Sequence, residues 1–181
     1  MSRVDLVDRP PIEYASTLES SWYCDAQVYE KDMLGVFAQE WQYLGPASWV
    51  AKNNSYHPSK LGRVPVLALR GTDGQLRGLI NVCRHRGGPL ATVSGSGRIL
   101  RCEYHGWSYK HSGELIGAPK MEKNAAFDPT CYSLQHFSIR EWRGLLFGCL
   151  SHNPPDFDAI MDGVIRPDCP ADFSRLAFMN R

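Results

Sequence analysis

Asn81-Val-Cys83-Arg-His85-Arg-Gly-Gly-Pro89 and Arg101-Cys102-Glu-Tyr-His105-Gly-Trp107 are the two stretches on which the reading of this chain turns. Together they give Cys-x-His, sixteen intervening residues, then Cys-x2-His. Each pair follows a predicted strand, over 75–82 and 97–101, so both pairs fall on loops at one end of a sheet. Four donors placed in this way can converge on one metal centre. Outward from these loops, short runs rich in Val, Leu, Ile and aromatics are cut by Gly, Pro, Asn and Asp. They predict further strands over 42–50, 64–70, 107–110, 133–141 and 145–150. Hairpin punctuation stands at Gly71-Thr-Asp-Gly74 and His111-Ser-Gly113. The chain therefore reads as mainly β, a small antiparallel domain with no internal repeat.

Before the first strand the periodicity is helical. Met33, Phe37, Trp41 and Leu44 recur at spacings of four, four and three, which predicts an amphipathic helix over 27–43 with Asp25 as its cap. That stripe reads as core packing rather than a cofactor box. The expected organisation is an arm and helix over 1–44, a β domain over 45–150 and a tail over 151–181.

Composition excludes several classes. The chain has 181 residues, 43% hydrophobic and 22% charged, values of an ordinary globular protein. A formal net charge of +1 without a Lys/Arg run gives no stripe for nucleic acid. No apolar run reaches the roughly 18 to 20 residues of a membrane span. The amino terminus has acidic residues and prolines but no apolar signal region, so a cytoplasmic location is expected. Six cysteines spread along such a chain point to metal binding for at least two of them. Cys24, Cys131, Cys149 and Cys169 read as small buried or half-buried thiols. His111 and His136 read as packed or exposed histidines rather than ligands.

Two thiolates and two neutral imidazoles from Cys83, Cys102, His85 and His105 suit an asymmetric [2Fe–2S] cluster with both cysteines on one iron and both histidines on the other. Gly87, Gly88 and Gly106 permit tight curvature and close approach of N–H groups to sulfur. Pro89 stiffens the first loop. Arg84 and Arg86 set positive charge beside a centre that gains an electron, and Trp107 can shield its edge from water. Zinc is a weaker reading, because a Cys-x-His pair is tighter than the usual spacing of zinc ligands.

Cys83-Arg-His85-Arg-Gly and Cys102-x-Tyr104-His105-Gly-Trp107 resemble the Rieske motif of ring-hydroxylating oxygenase large subunits. The likeness extends from about residue 20 to 150, through Trp22-Tyr23-Cys-Asp25, Gly71-Thr-Asp-Gly74, Ser112-Gly113-Glu-Leu115 and Gly144-Leu-Leu-Phe147. Glu103 departs from the proline usual in that family, which touches loop stiffness rather than ligation. Respiratory Rieske proteins carry a clamping disulfide where this chain has Gly88 and Tyr104, and a serine where it has Trp107. The resemblance therefore implies an oxygenase-type or ferredoxin-type carrier.

It also implies partners. A flavin reductase or a ferredoxin would donate electrons, and an oxygenase catalytic domain or a neighbouring subunit of a homo-oligomer would accept them at a mononuclear Fe(II). Such an iron needs two histidines and a carboxylate. His111, His136 and His152 with Asp156, Asp158 and Asp162 do not form the family's His-x4-His pattern with a later Asp. The expectation is that the iron belongs to a missing domain or partner, and that this chain is either the first part of an oxygenase subunit or a stand-alone Rieske ferredoxin. Arg84, Arg86, Lys110 and Lys120 are candidates for a docking rim.

Overall fold

The computed structural model describes residues 11–121, 123–165 and 173. Two antiparallel sheets dominate. The larger is built from β1 (Gln42–Pro46), β2 (Ser55–Leu61), β3 (Val64–Arg70), β4 (Leu76–Ile80), β5 (Gly95–Ser96), β9 (His136–Trp142) and β10 (Leu145–Cys149). Its strand order is β1-β10-β9-β4-β3-β2-β5. The smaller sheet runs in sequence order through β6 (Ile99–Arg101), β7 (Ser108–Lys110) and β8 (Leu115–Gly117).

Alternation along β3 decides where the two cores lie. Successive side chains of a strand point to opposite faces. Leu67 and Leu69 therefore join Leu79, Leu100, Trp107, Tyr109 and both Cys83 and Cys102 in one buried cluster. Val66 and Ala68 join Leu44, Val50, Leu61, Phe137 and Leu146 in another, on the opposite face. With both faces covered, β3 reads Val-Pro-Val-Leu-Ala-Leu, a nearly continuous apolar run. The first cluster extends the core directly beneath the two cysteines, and this positions the site.

Helices are short: α1 (Ser21–Cys24), α2 (Ala26–Gly35) and α3 (Phe157–Ile160). Asp25 caps α2, its carboxylate accepting from the Gln27 N–H at 2.7 Å. The stripe expected over 27–43 does not lie on one helix. Gly35 followed by β-branched Val36 ends α2, and the N–H groups of Val36 and Phe37 both turn back to the Asp32 carbonyl. Of the four apolar residues only Met33 is on α2; Trp41 packs edge-on against Phe157 and donates its indole N–H to Pro155, and Leu44 lies in β1. No residue of α2 is buried. Glu30 instead ties it to the body through Arg63, at 2.6 and 3.0 Å.

The strands over 64–70 and 145–150 lie where expected to within a residue. The 42–50 run is a strand only to Pro46, and a 3-10 turn, Ala47–Val50, follows. β2, β5 and β8 were not anticipated. Among the described residues no helix is long and apolar enough to cross a membrane.

Candidate metal centre

The two loops that carry the four candidate ligands are closed by the same pair of hydrogen bonds. In the first, Cys83 N–H donates to Gly88 O at 2.8 Å and Gly87 N–H to Cys83 O at 3.0 Å. In the second, Cys102 N–H donates to Trp107 O at 2.8 Å and Gly106 N–H to Cys102 O at 2.9 Å. Gly87 and Gly106 hold equivalent places with φ of 74° and 78°, a conformation that side chains resist. The loops meet tip to tip: a Cβ on Gly88 would stand 3.3 Å from Cys102 Sγ and 3.5 Å from Tyr104 Cβ.

This meeting brings the donors together in pairs. Cys83 and Cys102 are each 2% exposed, and their thiols interact with one another. The His85 and His105 rings meet edge to face, with centroids 4.6 Å apart. His85 is half-buried and His105 exposed. Buried His85 Nδ1 has no hydrogen-bond partner within the protein. Burial, helped by the charges of His105 and Arg86, lowers the His85 pKa and favours the neutral imidazole that ligates metals. Burial pushes the Cys83 thiol up, against the pull of a hydrogen bond from Tyr109. A coordinating metal overrides that preference, because it deprotonates a bound thiol.

The donor set therefore fits a binuclear iron–sulfur group: two buried sulfurs at the inner end, two imidazoles at the outer end, and an orphaned ring nitrogen awaiting a partner. A two-plus-two arrangement suits a core with two irons better than one tetrahedral zinc.

Around the donors, Trp107 stacks on His85 with a centroid distance of 4.8 Å and an interplanar angle of 10°. Phe127 and Tyr132 pack on its far side, edge to face. Tyr104 lies against His105 at 3.9 Å and is 65% exposed. Two residues with direct roles escaped the sequence reading. The Tyr109 hydroxyl lies 3.2 Å from Cys83 Sγ and accepts the Arg84 N–H at 3.1 Å. Burial is the main cause of its raised pKa, so the phenol stays protonated. Asn81, 4% exposed, accepts from Leu90 and Ala91 N–H at 2.9 and 3.2 Å and donates to Ala91 O at 2.7 Å, clasping the end of the first loop to its start. A signal for Tyr109 existed: Trp107 and Tyr109 are two apart on a predicted strand and so share its inner face.

The candidate rim residues sit in different settings. Arg84 and Arg86 are exposed on the first loop, but Lys110 lies at the other end of β7, paired with Glu114 at 2.9 Å. Lys110 is thereby engaged by a neighbouring carboxylate, whereas Arg84 and Arg86 are exposed on the ligand loop itself. Cys24 and Cys131 are exposed rather than buried, Cys149 is buried with its thiol donating to Gln39 O, and Cys169 lies outside the described residues.

Comparison with known proteins gives the same picture. The chain is 34% identical over 160 residues to the glycine betaine monooxygenase oxygenase subunit of Pseudomonas aeruginosa, covering 86% of this chain and 37% of that one. It is 30% identical over 151 residues to the chlorobenzene dioxygenase alpha subunit of Cupriavidus sp. (strain PS12), covering 82% and 34%. The chain thus spans little more than a third of the length of these relatives. A crystal structure of a quaternary ammonium Rieske monooxygenase with L-carnitine superposes with a TM-score of 0.78 at 28% identity, over 85% of this chain and 45% of that one. Naphthalene 1,2-dioxygenase gives 0.72 at 28%, over 80% and 34%. The sequence profile of the Rieske [2Fe–2S] domain matches residues 40–138, a span that begins just before β1 and takes in both ligand loops. By that match, and by the paired loops it encloses, the chain belongs to the Rieske [2Fe–2S] domain family.

Proposed function

We propose that this chain is the electron-transfer domain of a Rieske oxygenase, and that Cys83 and Cys102 hold one iron and His85 and His105 the other of its [2Fe–2S] group. The observation that carries this reading is the pair of identically closed loops meeting over two buried thiols, with the two imidazoles outermost. When bound, such a group takes up and releases one electron at a time. The chain's own residues prepare the place for it. Tyr109 donates its hydroxyl hydrogen toward Cys83 Sγ, which favours added negative charge on that side. Trp107 covers one face of His85 and keeps water from it, while the exposed edge of His105 faces outward. Electrons would therefore enter and leave on the Tyr104–His105 side.

Similarity to oxygenase subunits supports the wider assignment. Electrons would come from a flavin reductase or a ferredoxin and pass to a mononuclear iron that activates dioxygen, carried by a further domain or by a neighbouring subunit of a homo-oligomer. Residues after 150 would lead toward that domain, and the enzyme would work in the cytoplasm on a small organic substrate. The deciding experiment is iron and acid-labile sulfide analysis of the purified chain, with an EPR spectrum after reduction. Two irons and two sulfides per chain with a reducible signal are expected, lost in Cys102→Ser and His105→Ala. Stoichiometric zinc without sulfide would sink the assignment.

A further inference from the structure

Histidine and tryptophan rings turn about a torsion with broad minima, so whatever touches the ring decides its plane. A hydrogen bond to a ring nitrogen is the usual constraint on a histidine that ligates metal. At the first ligand loop that constraint is missing from two adjacent rings. His85 Nδ1 and Trp107 Nε1 are both buried, and neither has a hydrogen-bond partner among the described residues. Trp107 is 2% exposed and lies nearly parallel to His85, 10° apart with centroids at 4.8 Å. The indole face therefore sets the imidazole plane, and something else must set the indole.

Two rings from the segment between β8 and β9 do so. Phe127 and Tyr132 meet the indole edge to face, at 5.6 Å and 68° and at 5.5 Å and 80°, and they touch each other at 4.9 Å. All three separations fall in the range over which aromatic pairs attract. The segment is itself fixed. Phe127 N–H donates to Asn124 O at 3.0 Å, and Asp128 opens the 3-10 turn Pro129–Tyr132 by accepting from the Thr130 N–H at 2.9 Å and its hydroxyl at 2.7 Å. His105 stands outside this stack. It is exposed, meets His85 edge on at 4.6 Å, and has Tyr104, 65% exposed, as its other ring neighbour at 3.9 Å.

We propose, on the ligand assignment made above, that Phe127 and Tyr132 are positioning residues: acting through Trp107 they set the plane of the His85 imidazole, and His105 is oriented independently of them. The two imidazoles are then held by different parts of the chain, and only His85 answers to the β8–β9 segment.

The test uses the full chain, metal-free and after reconstitution with iron and sulfide, unaltered and as Phe127→Leu, Tyr132→Leu, Tyr132→Phe and Tyr104→Leu. Phe127 and Tyr132 are half-buried, and Phe127 lines an open cleft of about 330 Å³, so shortening it widens a surface feature rather than leaving a sealed void. In the metal-free chain, NMR should place the His85 ring protons upfield, under the ring current of the indole. Phe127→Leu and Tyr132→Leu should each return part of that shift and leave the His105 protons where they are, whereas Tyr132→Phe, which keeps the ring, should preserve it. In the loaded and reduced chain, pulsed EPR should show two histidine nitrogen couplings, one moving in Phe127→Leu and Tyr132→Leu and the other in Tyr104→Leu. If Phe127→Leu does not fold, Tyr132→Leu and its Tyr132→Phe control decide. Unmoved His85 protons in the leucine variants, or His85 and His105 shifting together in either state, would overturn the proposal. A chain that takes up no iron–sulfur group yet shows the expected His85 shifts would overturn the ligand assignment alone, because the stack would still orient His85.

Discussion

Tyr109 places one hydroxyl between a sulfur and a backbone amide, and both contacts are lost in Tyr109→Phe. Iron content is expected to stay unchanged, because the ring still fills the core. The reduction potential should fall by ~40 mV, since a hydrogen bond worth about 1 kcal/mol to the reduced state corresponds to that much for one electron. Protein-film voltammetry reads this directly, and an unshifted potential would show that the hydroxyl does not act on the sulfur. Asn81→Ala removes one buried and two half-buried hydrogen bonds and leaves two N–H groups and a carbonyl without their side-chain partner. A loss of about 2–4 kcal/mol is expected in urea denaturation, with faster bleaching of the bound chromophore. The four candidate ligands were legible because they carry rare chemistry at fixed spacing. Asn81 was not, and for Tyr109 only the inward face was, because a polar residue and an aromatic at strand positions have many ordinary uses, and only the fold shows which atoms they meet.

At the scale of elements, the equivalence of the two loops makes a comparison possible. Gly87 and Gly106 share φ and hydrogen-bond position. Replacing either by alanine forces a left-handed side chain and should cost about 1–2 kcal/mol in each loop. Equal losses for Gly87→Ala and Gly106→Ala in denaturant titrations would support the structural equivalence; a null effect at either would count against it. The helix was misjudged because four-residue spacing continues past the point where Gly35 and Val36 end α2, so an apolar rhythm outlasts the backbone that explained it. β2 was missed for a different reason. Ser-Tyr-His-Pro-Ser-Lys-Leu lacks an apolar alternation, and Pro58 argues against a central strand. The strand tolerates Pro58 because only its first two residues pair with β5 on the far side, which leaves the rest as an edge.

For the molecule as a whole, burial of histidine sets a pH response. His57 stacks on Trp49 at 3.8 Å and bonds Ser94 Oγ at 2.6 Å, and burial holds its pKa below the usual histidine value. Burial does the same to His111. The unfolded chain therefore binds more protons than the folded one as pH falls below about 6.5. Stability is full above that value and declines as pH drops through the lowered folded-state pKa values. Urea midpoints should fall between pH 7 and pH 5, and His57→Gln should flatten part of that slope; a midpoint indifferent to pH would contradict it. The β architecture was legible at this scale because β3 and its neighbours are apolar enough to announce burial. The split into two cores on opposite faces of one sheet was not, since a continuous apolar run does not say which residues face which way.

The unequal exposure of the four donors has a consequence for traffic through the molecule. Electron tunnelling weakens steeply with distance, and the sulfur end is insulated by Leu67, Leu69, Leu100 and Tyr109. A charge resting there would be kinetically mute toward anything approaching from the sheet side. Redox selectivity would then be decided by shape at the rim around His105, not by driving force, and a strong but bulky oxidant would be slower than a weak one that seats well.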